Sequence, residues 1–142
     1  MTKKEEHLFK AARDAAARAD YSGANAVKIG CVAVYKGTIL AKGCNSDRTH
    51  PLQYHYNKYR FNDEGPKYLP SKGHSEIFCL SKLKFLDIEF SKVKLFIYRE
   101  YKDGSPAMAR PCKACMAAIK NEFGIKTIYY TTPDGYCKEE LN

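Results

Sequence analysis

The 142-residue chain has no apolar run long enough to cross a membrane and no N-terminal secretory pattern. The first absence argues against a membrane protein. The second, together with six cysteines, predicts a cytoplasmic, reducing location in which the thiols stay free. Internal repeats, linkers and low-complexity segments are also missing. We therefore expect one domain over residues 1–142, large enough to bury a core without disulfide crosslinks.

Acidic residues are scarce relative to basic ones. The chain has 16 Asp and Glu against 24 Lys and Arg, which gives a formal net charge of +8. Such an excess favours polyanions or phosphate-bearing substrates as ligands. It does not establish nucleic-acid binding by itself, because many basic proteins bind no nucleic acid.

A second C-x-x-C motif is missing as well. One such motif joins Cys112 and Cys115, and no other cysteine has a partner at that spacing, so the second half of a structural zinc site is absent. Pro111 precedes the motif, and His74-Ser75-Glu76 lies 38 positions before Cys112. Together the segments read H-x-E…P-C-x-x-C, the pattern of zinc deaminases that act on nucleobases.

This pattern supplies the groups that metal-assisted deamination needs. One imidazole, from His74, and two thiolates, from Cys112 and Cys115, give Zn²⁺ three ligands and leave one tetrahedral position open for water. Glu76 could then take a proton from that water and give it to the leaving amine. A structural half-site or a redox pair is the alternative for the cysteines, but neither explains His74 and Glu76.

The spacing also predicts where these residues lie on helices. Cys112 and Cys115 are three apart and share a helix face, and Pro111 suits the first helical position. The positive end of that helix would lower the pKa values of the thiols. His74 and Glu76 open a second predicted helix that runs to about Leu86. Two helix N-termini would thus meet over one ion.

Periodicity and turn signals predict an α/β chain with the order αββαβαββ. The predicted elements are a helix from Thr2 to Ala19, strands over 27–35 and 38–44, a helix over 74–86, a strand over 93–98, a helix over 111–123, a strand over 125–131 and a short strand from Tyr136. Residues 45–72 show no clean period.

The motifs and the element order resemble the cytidine deaminase-like superfamily of zinc-dependent nucleobase deaminases. The resemblance implies a three-layer αβα sandwich with a mixed five-stranded sheet and zinc at the paired helix starts. His74, Cys112 and Cys115 match the zinc ligands, and Glu76 matches the proton shuttle. Asn45 matches an Asn that contacts the sugar of the target nucleotide, although a turn role is the alternative.

Two departures from the family pattern matter. Most relatives have Ala or Val where this chain has Ser75, whose hydroxyl could touch the substrate or cap the helix. Residues 108–110 stand where vertebrate polynucleotide cytosine deaminases carry a Ser-Trp-Ser-like stretch, and this chain has no Trp. The base recognition of those proteins is therefore not implied.

The end of the chain carries a third departure. The turn over 132–135, followed by a few residues, predicts that the last two strands are antiparallel. That ending resembles free-cytidine deaminases and single-domain cytosine deaminases of bacteria and phages.

An aromatic and basic segment over 48–61 precedes the H-x-E motif. Its rings could stack unpaired bases while its cations meet phosphates, which makes His55, Tyr56, Lys58 and Arg60 candidate substrate contacts. The rings could instead pack a loop or a helix onto the core.

Three functions are therefore open. The first is a cytosine deaminase of single-stranded nucleic acid, with DNA favoured over RNA, acting as a monomer. The second is a deaminase of free cytidine, deoxycytidine or dCMP, a class whose members of this size usually form oligomers. The third is a zinc-containing binding module without catalysis, against which the intact Glu76 argues. Charge and the aromatic segment favour the first.

Overall fold

The structure, a computed structural model, describes residues 1–19, 28–46, 50–56 and 74–141. Its helices are α1 Lys3–Ala16, α2 Pro51–Tyr56, α3 Ser75–Ser81 and α4 Lys113–Ala117, and its strands are β1 Ile29–Tyr35, β2 Thr38–Cys44, β3 Val93–Arg99, β4 Thr127–Thr132 and β5 Gly135–Glu140. The predicted order αββαβαββ is confirmed, and α2 is an additional short helix between β2 and α3. No helix in these ranges is long and apolar enough to span a bilayer.

The five strands form one mixed sheet in the order β2-β1-β3-β4-β5. The β3–β4 pair is parallel and every other neighbouring pair is antiparallel, including β4–β5, as the sequence predicts. A parallel pair needs a crossover connection, and α4 lies in it. The carboxyl ends of β3 and β4 therefore meet at one edge of the sheet, where the chain enters α4.

Helix α1 covers one face of the sheet. Its start carries the capping box predicted from Thr2 and Glu5: the Glu5 N–H donates to Thr2 Oγ1, and the Thr2 N–H donates to Glu5 Oε1. Phe9 of α1 packs edge-on against Phe96, whose ring stacks on Tyr129 with centroids 4.3 Å apart. This face is held together by apolar and aromatic packing.

Helices α2, α3 and α4 lie on the opposite face, which completes the three layers. Buried side chains of alternate positions on β1, β3 and β4 point toward these helices and join the larger apolar core of the protein. The main members of this core are Cys31, Leu95, Ile97, Ile128, Ile77, Leu80 and Ile119.

Two glycines set how closely the helices approach the sheet. A Cβ on Gly30 would lie 2.0 Å from the Ala12 carbonyl oxygen of α1. A Cβ on Gly43 would lie 2.4 Å from the Ser75 carbonyl oxygen of α3. A side chain at either position would push the helix backbone away. Glycine therefore allows each helix to pack directly against its strand.

Several element ends differ from the sequence-based expectation. Helix α3 stops at Ser81 instead of Leu86, because the chain continues in tighter turns: the Lys82 and Leu83 N–H groups donate to carbonyls only three residues back. Helix α1 ends at Ala16 instead of Ala19. Strand β1 begins at Ile29, and Val27 lies outside the described residues.

The bounds of helix α4 also differ from the predicted range of 111–123. Cys112 is the N-cap of α4, so Pro111 precedes the helix instead of opening it. The helix continues as a π-turn over Ala118–Glu122. The Ile125 N–H donates to the Ile119 carbonyl at 3.0 Å, so this residue closes the helix end and β4 starts only at Thr127.

Candidate active site

The three predicted zinc ligands meet where α3 and α4 begin. His74 is the N-cap of α3, Cys112 is the N-cap of α4, and Cys115 lies in the first turn of α4. The Nδ1 atom of His74 is 3.5 Å from the Cys112 Sγ and 3.3 Å from the Cys115 Sγ. All three ligand atoms lie within 4.8 Å of one another.

These separations fit a tetrahedral zinc ion. Zn–S bonds of about 2.3 Å and Zn–N bonds of about 2.0 Å put neighbouring ligand atoms roughly 3.5 to 3.8 Å apart. Within the described ranges, no fourth His, Cys, Asp or Glu joins the cluster. His74, Cys112 and Cys115 therefore form a candidate zinc site of the open, three-ligand kind, and the ligand prediction is consistent with its geometry.

The loop that leads into Cys112 is tied to the ends of the central strands. The Ala107 N–H donates to the Arg99 carbonyl of β3, and the Ala109 N–H donates to the Thr131 carbonyl of β4, both at 2.9 Å. The Thr131 hydroxyl donates to the Ala107 carbonyl at 2.7 Å. The two parallel strands thereby fix the position from which Cys112 enters the site.

An ion pair to the last strand holds the same loop. The Arg110 guanidinium donates two hydrogen bonds, each 3.0 Å long, to the two carboxylate oxygens of Glu139 on β5. The Tyr130 hydroxyl donates to the same carboxylate. The hydrogen bonds from Arg110 lower the pKa of Glu139. The contact depends on the antiparallel β4–β5 pairing, which brings β5 back past the loop.

The hydrogen bond between the two thiols shifts their pKa values in opposite directions. A hydrogen bond from Cys115 lowers the pKa of Cys112 to about 4, against the opposing effect of burial, and His74 adds to the lowering. The pKa of Cys115 is raised because it donates that hydrogen bond and is buried. Zinc binds both sulfurs as thiolates, so metal binding here would release any thiol proton that remains.

Glu76 lies in the first turn of α3, two residues after His74, and is only 4% exposed. It is outside the metal-ligand cluster. Burial raises the pKa of its carboxyl group, which favours holding a proton. A buried carboxyl that can gain and lose a proton beside an open metal site has the placement that a proton shuttle needs.

Ser75 is fully buried, and its hydroxyl donates to Glu76 Oε1 at 2.5 Å. Helix α3 has no side-chain cap, so the capping role considered for Ser75 is not the one the structure shows. The hydroxyl fixes the orientation of the Glu76 carboxyl group. A contact between Ser75 and substrate stays a prediction.

Sequence reasoning missed Gln53. This residue of α2 is fully buried, and its Oε1 accepts a hydrogen bond from the His74 N–H at 3.1 Å. It therefore holds the backbone of a zinc ligand in place. The available signal was weak: Gln53 and Tyr56 are three apart and both buried, a helical spacing that the surrounding rings obscured.

Asn45 follows β2 at the same edge of the sheet and is buried. Its Oδ1 accepts from the Ile29 N–H at 2.9 Å, and its own N–H donates to the Ile29 carbonyl. Both bonds close the end of the β1–β2 hairpin and orient the amide. Asn45 thus links the ends of the two strands, and its contact with a sugar stays a prediction.

The aromatic and basic segment is described only in part. Tyr56 is 3% exposed and belongs to the core, so the structure shows it in the packing role and not as a surface ring for bases. His55 is exposed and meets the Tyr56 ring edge-on, with centroids 4.8 Å apart. Lys58 and Arg60 lie outside the described residues.

Solved structures share this fold at low sequence identity. The cytidine deaminase from Burkholderia pseudomallei has a TM-score of 0.62 and 18% identity, with 99% of this chain and 93% of that chain covered. The dCMP deaminase from the cyanophage S-TIM5 has a TM-score of 0.60 and 21% identity, with 92% and 84% covered. No curated protein sequence matches significantly.

A family profile covers almost the whole chain. The profile described as the cytidine and deoxycytidylate deaminase zinc-binding region matches residues 2–132. Both zinc motifs and the strands that position them lie inside that match. The chain therefore belongs to the cytidine and deoxycytidylate deaminase family of zinc-dependent hydrolytic deaminases, as its motifs predict.

Proposed function

We propose that this protein converts cytosine to uracil in single-stranded nucleic acid, DNA in particular, with Glu76 as the residue that moves protons. The observation that carries the deamination step is the placement of Glu76, buried next to a three-ligand metal cluster of which it is not a member. A purely structural zinc site has no use for such a carboxyl group, which argues against a non-catalytic binding module.

Each residue then has a defined task. When bound by His74, Cys112 and Cys115, zinc supplies the Lewis acidity that makes water a nucleophile at neutral pH. Glu76 takes a proton from the attacking water and delivers protons to the ring and to the departing amine, so that cytosine and water become uracil and ammonia. Ser75 keeps the Glu76 carboxyl group in one orientation throughout.

The formal charge of +8 supports a substrate with many phosphates over a neutral nucleoside. A base inside a duplex cannot reach a site enclosed by two helix ends unless it leaves the stack, which supports a single strand. Asn45, at the same edge of the sheet, would bind the sugar of the target nucleotide. His55, Lys58 and Arg60 would contact the strand.

A free nucleoside or nucleotide is the second candidate. The family description names cytidine and deoxycytidylate, and the similar cyanophage S-TIM5 protein was crystallised with dCMP and dUMP. Under this alternative, the same zinc ligands and Glu76 would act on cytidine, deoxycytidine or dCMP.

The choice of substrate is tested with a panel. Purified protein is incubated with a DNA oligonucleotide containing one cytosine, the same sequence as RNA, the DNA duplex, cytidine, deoxycytidine and dCMP, and uracil is measured by mass spectrometry. We expect the single-stranded DNA to react fastest, the duplex to react poorly, and the protein to be a monomer by light scattering. Efficient turnover of cytidine or dCMP with no uracil in the oligonucleotide at low salt would make the second candidate correct.

The role of Glu76 is tested by Glu76→Gln, with Glu89→Gln as the matched control because Glu89 is exposed and pairs only with Lys92 among the described residues. Glu76→Gln should keep its zinc and its melting temperature while kcat falls by about 10²- to 10⁴-fold or more. Residual activity within tenfold of the parent would contradict the assignment.

A further inference from the structure

A cavity of about 440 Å³ lies outside the zinc cluster, at the open edge of strand β2. The end of α1 forms one wall, β2 forms the floor, and α3 forms the other wall. Since β2 is an edge strand, no neighbouring strand closes this side of the sheet in the described structure. The lining side chains that the argument uses are Asp14, Arg18, Lys42, Phe78 and Lys82.

The cavity is cationic. Arg18, Lys42 and Lys82 contribute three positive charges, against one negative charge from Asp14. Among the residues that the structure describes, no carboxylate lies within ion-pair distance of these three cations. The Lys82 ammonium donates to the Lys42 carbonyl, which holds it across the gap between α3 and β2. A concave surface lined mainly by cations attracts anions.

The cavity and the zinc site share helix α3. Phe78 lies one turn after His74, to whose carbonyl its N–H donates, and Lys82 lies two turns after it. A rise of 1.5 Å per residue puts the Lys82 backbone about 12 Å from that of His74. On β2, the lining residues Cys44 and Ser46 flank Asn45. The cavity therefore lies beside the zinc site along both α3 and β2.

The number of cations indicates what the cavity would hold. A mononucleotide carries a single phosphate group, whereas three cations match successive phosphates of a strand whose target base lies at the zinc site. Phe78 adds an aromatic ring beside the cations, and rings next to cations are the combination that proteins use for single-stranded nucleic acid.

We infer that this cavity binds the sugar-phosphate backbone of the single strand next to the target cytosine, through Arg18, Lys42 and Lys82. The inference rests on the proposed polynucleotide substrate and names the surface that recognises it. It also places strand contacts on α1, β2 and α3, apart from the aromatic segment over 48–61.

The test compares two triple variants with the same loss of charge. The cavity variant is Arg18→Gln/Lys42→Gln/Lys82→Gln. The control is Lys10→Gln/Lys94→Gln/Lys126→Gln, three exposed lysines that do not line the cavity. Binding of a labelled single-stranded oligonucleotide is measured by fluorescence anisotropy at several salt concentrations. Deamination of that oligonucleotide and of deoxycytidine and dCMP is measured in parallel.

We expect the cavity variant to bind the oligonucleotide at least tenfold more weakly than the control variant. Its log Kd against log salt slope should fall by up to about 2, since each phosphate contact on a single strand contributes about 0.7. Its kcat/KM for deoxycytidine and dCMP should equal that of the control. Equal oligonucleotide binding by both variants would overturn the inference.

Two further outcomes separate this inference from the proposed function. If the cavity variant loses dCMP turnover and oligonucleotide turnover to the same extent, the cavity holds the nucleotide's own phosphate and the inference is wrong. If the parent deaminates only free nucleosides yet binds the oligonucleotide through the cavity, the proposed substrate is wrong and the cavity stands as a strand-binding surface.

Discussion

The two faces of the sheet use the starts of their helices in different ways. Helix α1 spans 14 residues and begins with a complete capping box between Thr2 and Glu5. On the other face, α3 spans seven residues and α4 spans five, and neither has a side-chain cap. The N-cap positions of these two helices are occupied by the zinc ligands His74 and Cys112 instead.

This difference indicates what each face contributes. A side-chain cap stabilises a helix by about 1 kcal/mol, and α1 has that stabilisation. Helices α3 and α4 lack it and are too short to be stable alone. Their order must come from packing on the sheet, from contacts such as that of Gln53 with the His74 N–H, and from the metal. The α1 helix is thus stabilised locally by its cap, whereas the α3–α4 face combines the larger apolar core with the residues of the metal site.

Removal of a zinc ligand should have the largest effect on activity, and it should act through the α3–α4 face. Cys112→Ala and Cys115→Ala should each lose most of the single zinc ion expected per chain, abolish deamination and lower the melting temperature, because bound metal stabilises the folded state. Cys137→Ala, on β5, is the control and should keep the metal. Metal content is measured by mass spectrometry. Full zinc occupancy in both ligand variants would contradict the assignment of Cys112 and Cys115 as zinc ligands.

The two glycines that lie against helix backbone provide matched variants on opposite faces of the sheet. Gly30→Ala should displace α1 and Gly43→Ala should displace the start of α3, because each new methyl group would meet helix backbone within 2.5 Å. Overpacking of this kind costs about 1–3 kcal/mol, so both melting temperatures should fall. Only Gly43→Ala should also weaken zinc binding and turnover. Equal loss of zinc affinity in both variants, measured by chelator competition, would show that the faces are not independent.

Much of this arrangement could be predicted because its signals are local. The turn at Lys36-Gly37 joins β1 to β2, and both residues have positive φ, as a tight hairpin turn requires. The parallel β3–β4 pair follows from a helix between two strands. The zinc ligands could be predicted because their spacing is set by helix starts, which are short-range features of the sequence.

The parts that the sequence did not predict depend on tertiary contacts. Helix α2 is six residues long, too short to show a period, and it forms where Gln53 and Tyr56 are buried against the core. The hydrogen bond from Ser75 to Glu76 depends on both side chains being buried together. The pairing of Arg110 with Glu139 joins residues 29 positions apart that only the sheet brings together.

Gln53 should affect stability no more than the glycines do, and its effect should be confined to the catalytic face. Gln53→Met keeps the size of the side chain and removes the acceptor for the His74 N–H, at a cost of about 1–3 kcal/mol for a buried donor left unpaired. Zinc affinity should also fall, because the backbone of a zinc ligand is then held less firmly. Tyr54→Ala, on the exposed side of the same helix, should leave zinc affinity unchanged. Unchanged zinc affinity in Gln53→Met would contradict the positioning role.

Ser75 should show the smallest effect, and one that distinguishes two roles for the same hydroxyl. If it orients the Glu76 carboxyl group, Ser75→Ala should lower kcat by about three- to tenfold, the equivalent of about 0.5–1.5 kcal/mol for one hydrogen bond, with KM unchanged. If it touches substrate, KM should rise instead. Ser81→Ala is the matched control, since the Ser81 hydroxyl donates to the Phe78 carbonyl on the same helix without reaching Glu76. Zinc content should be equal in both variants, because neither hydroxyl belongs to the metal-ligand cluster. A rise in KM with unchanged kcat would place Ser75 in the substrate site and remove it from the support of Glu76.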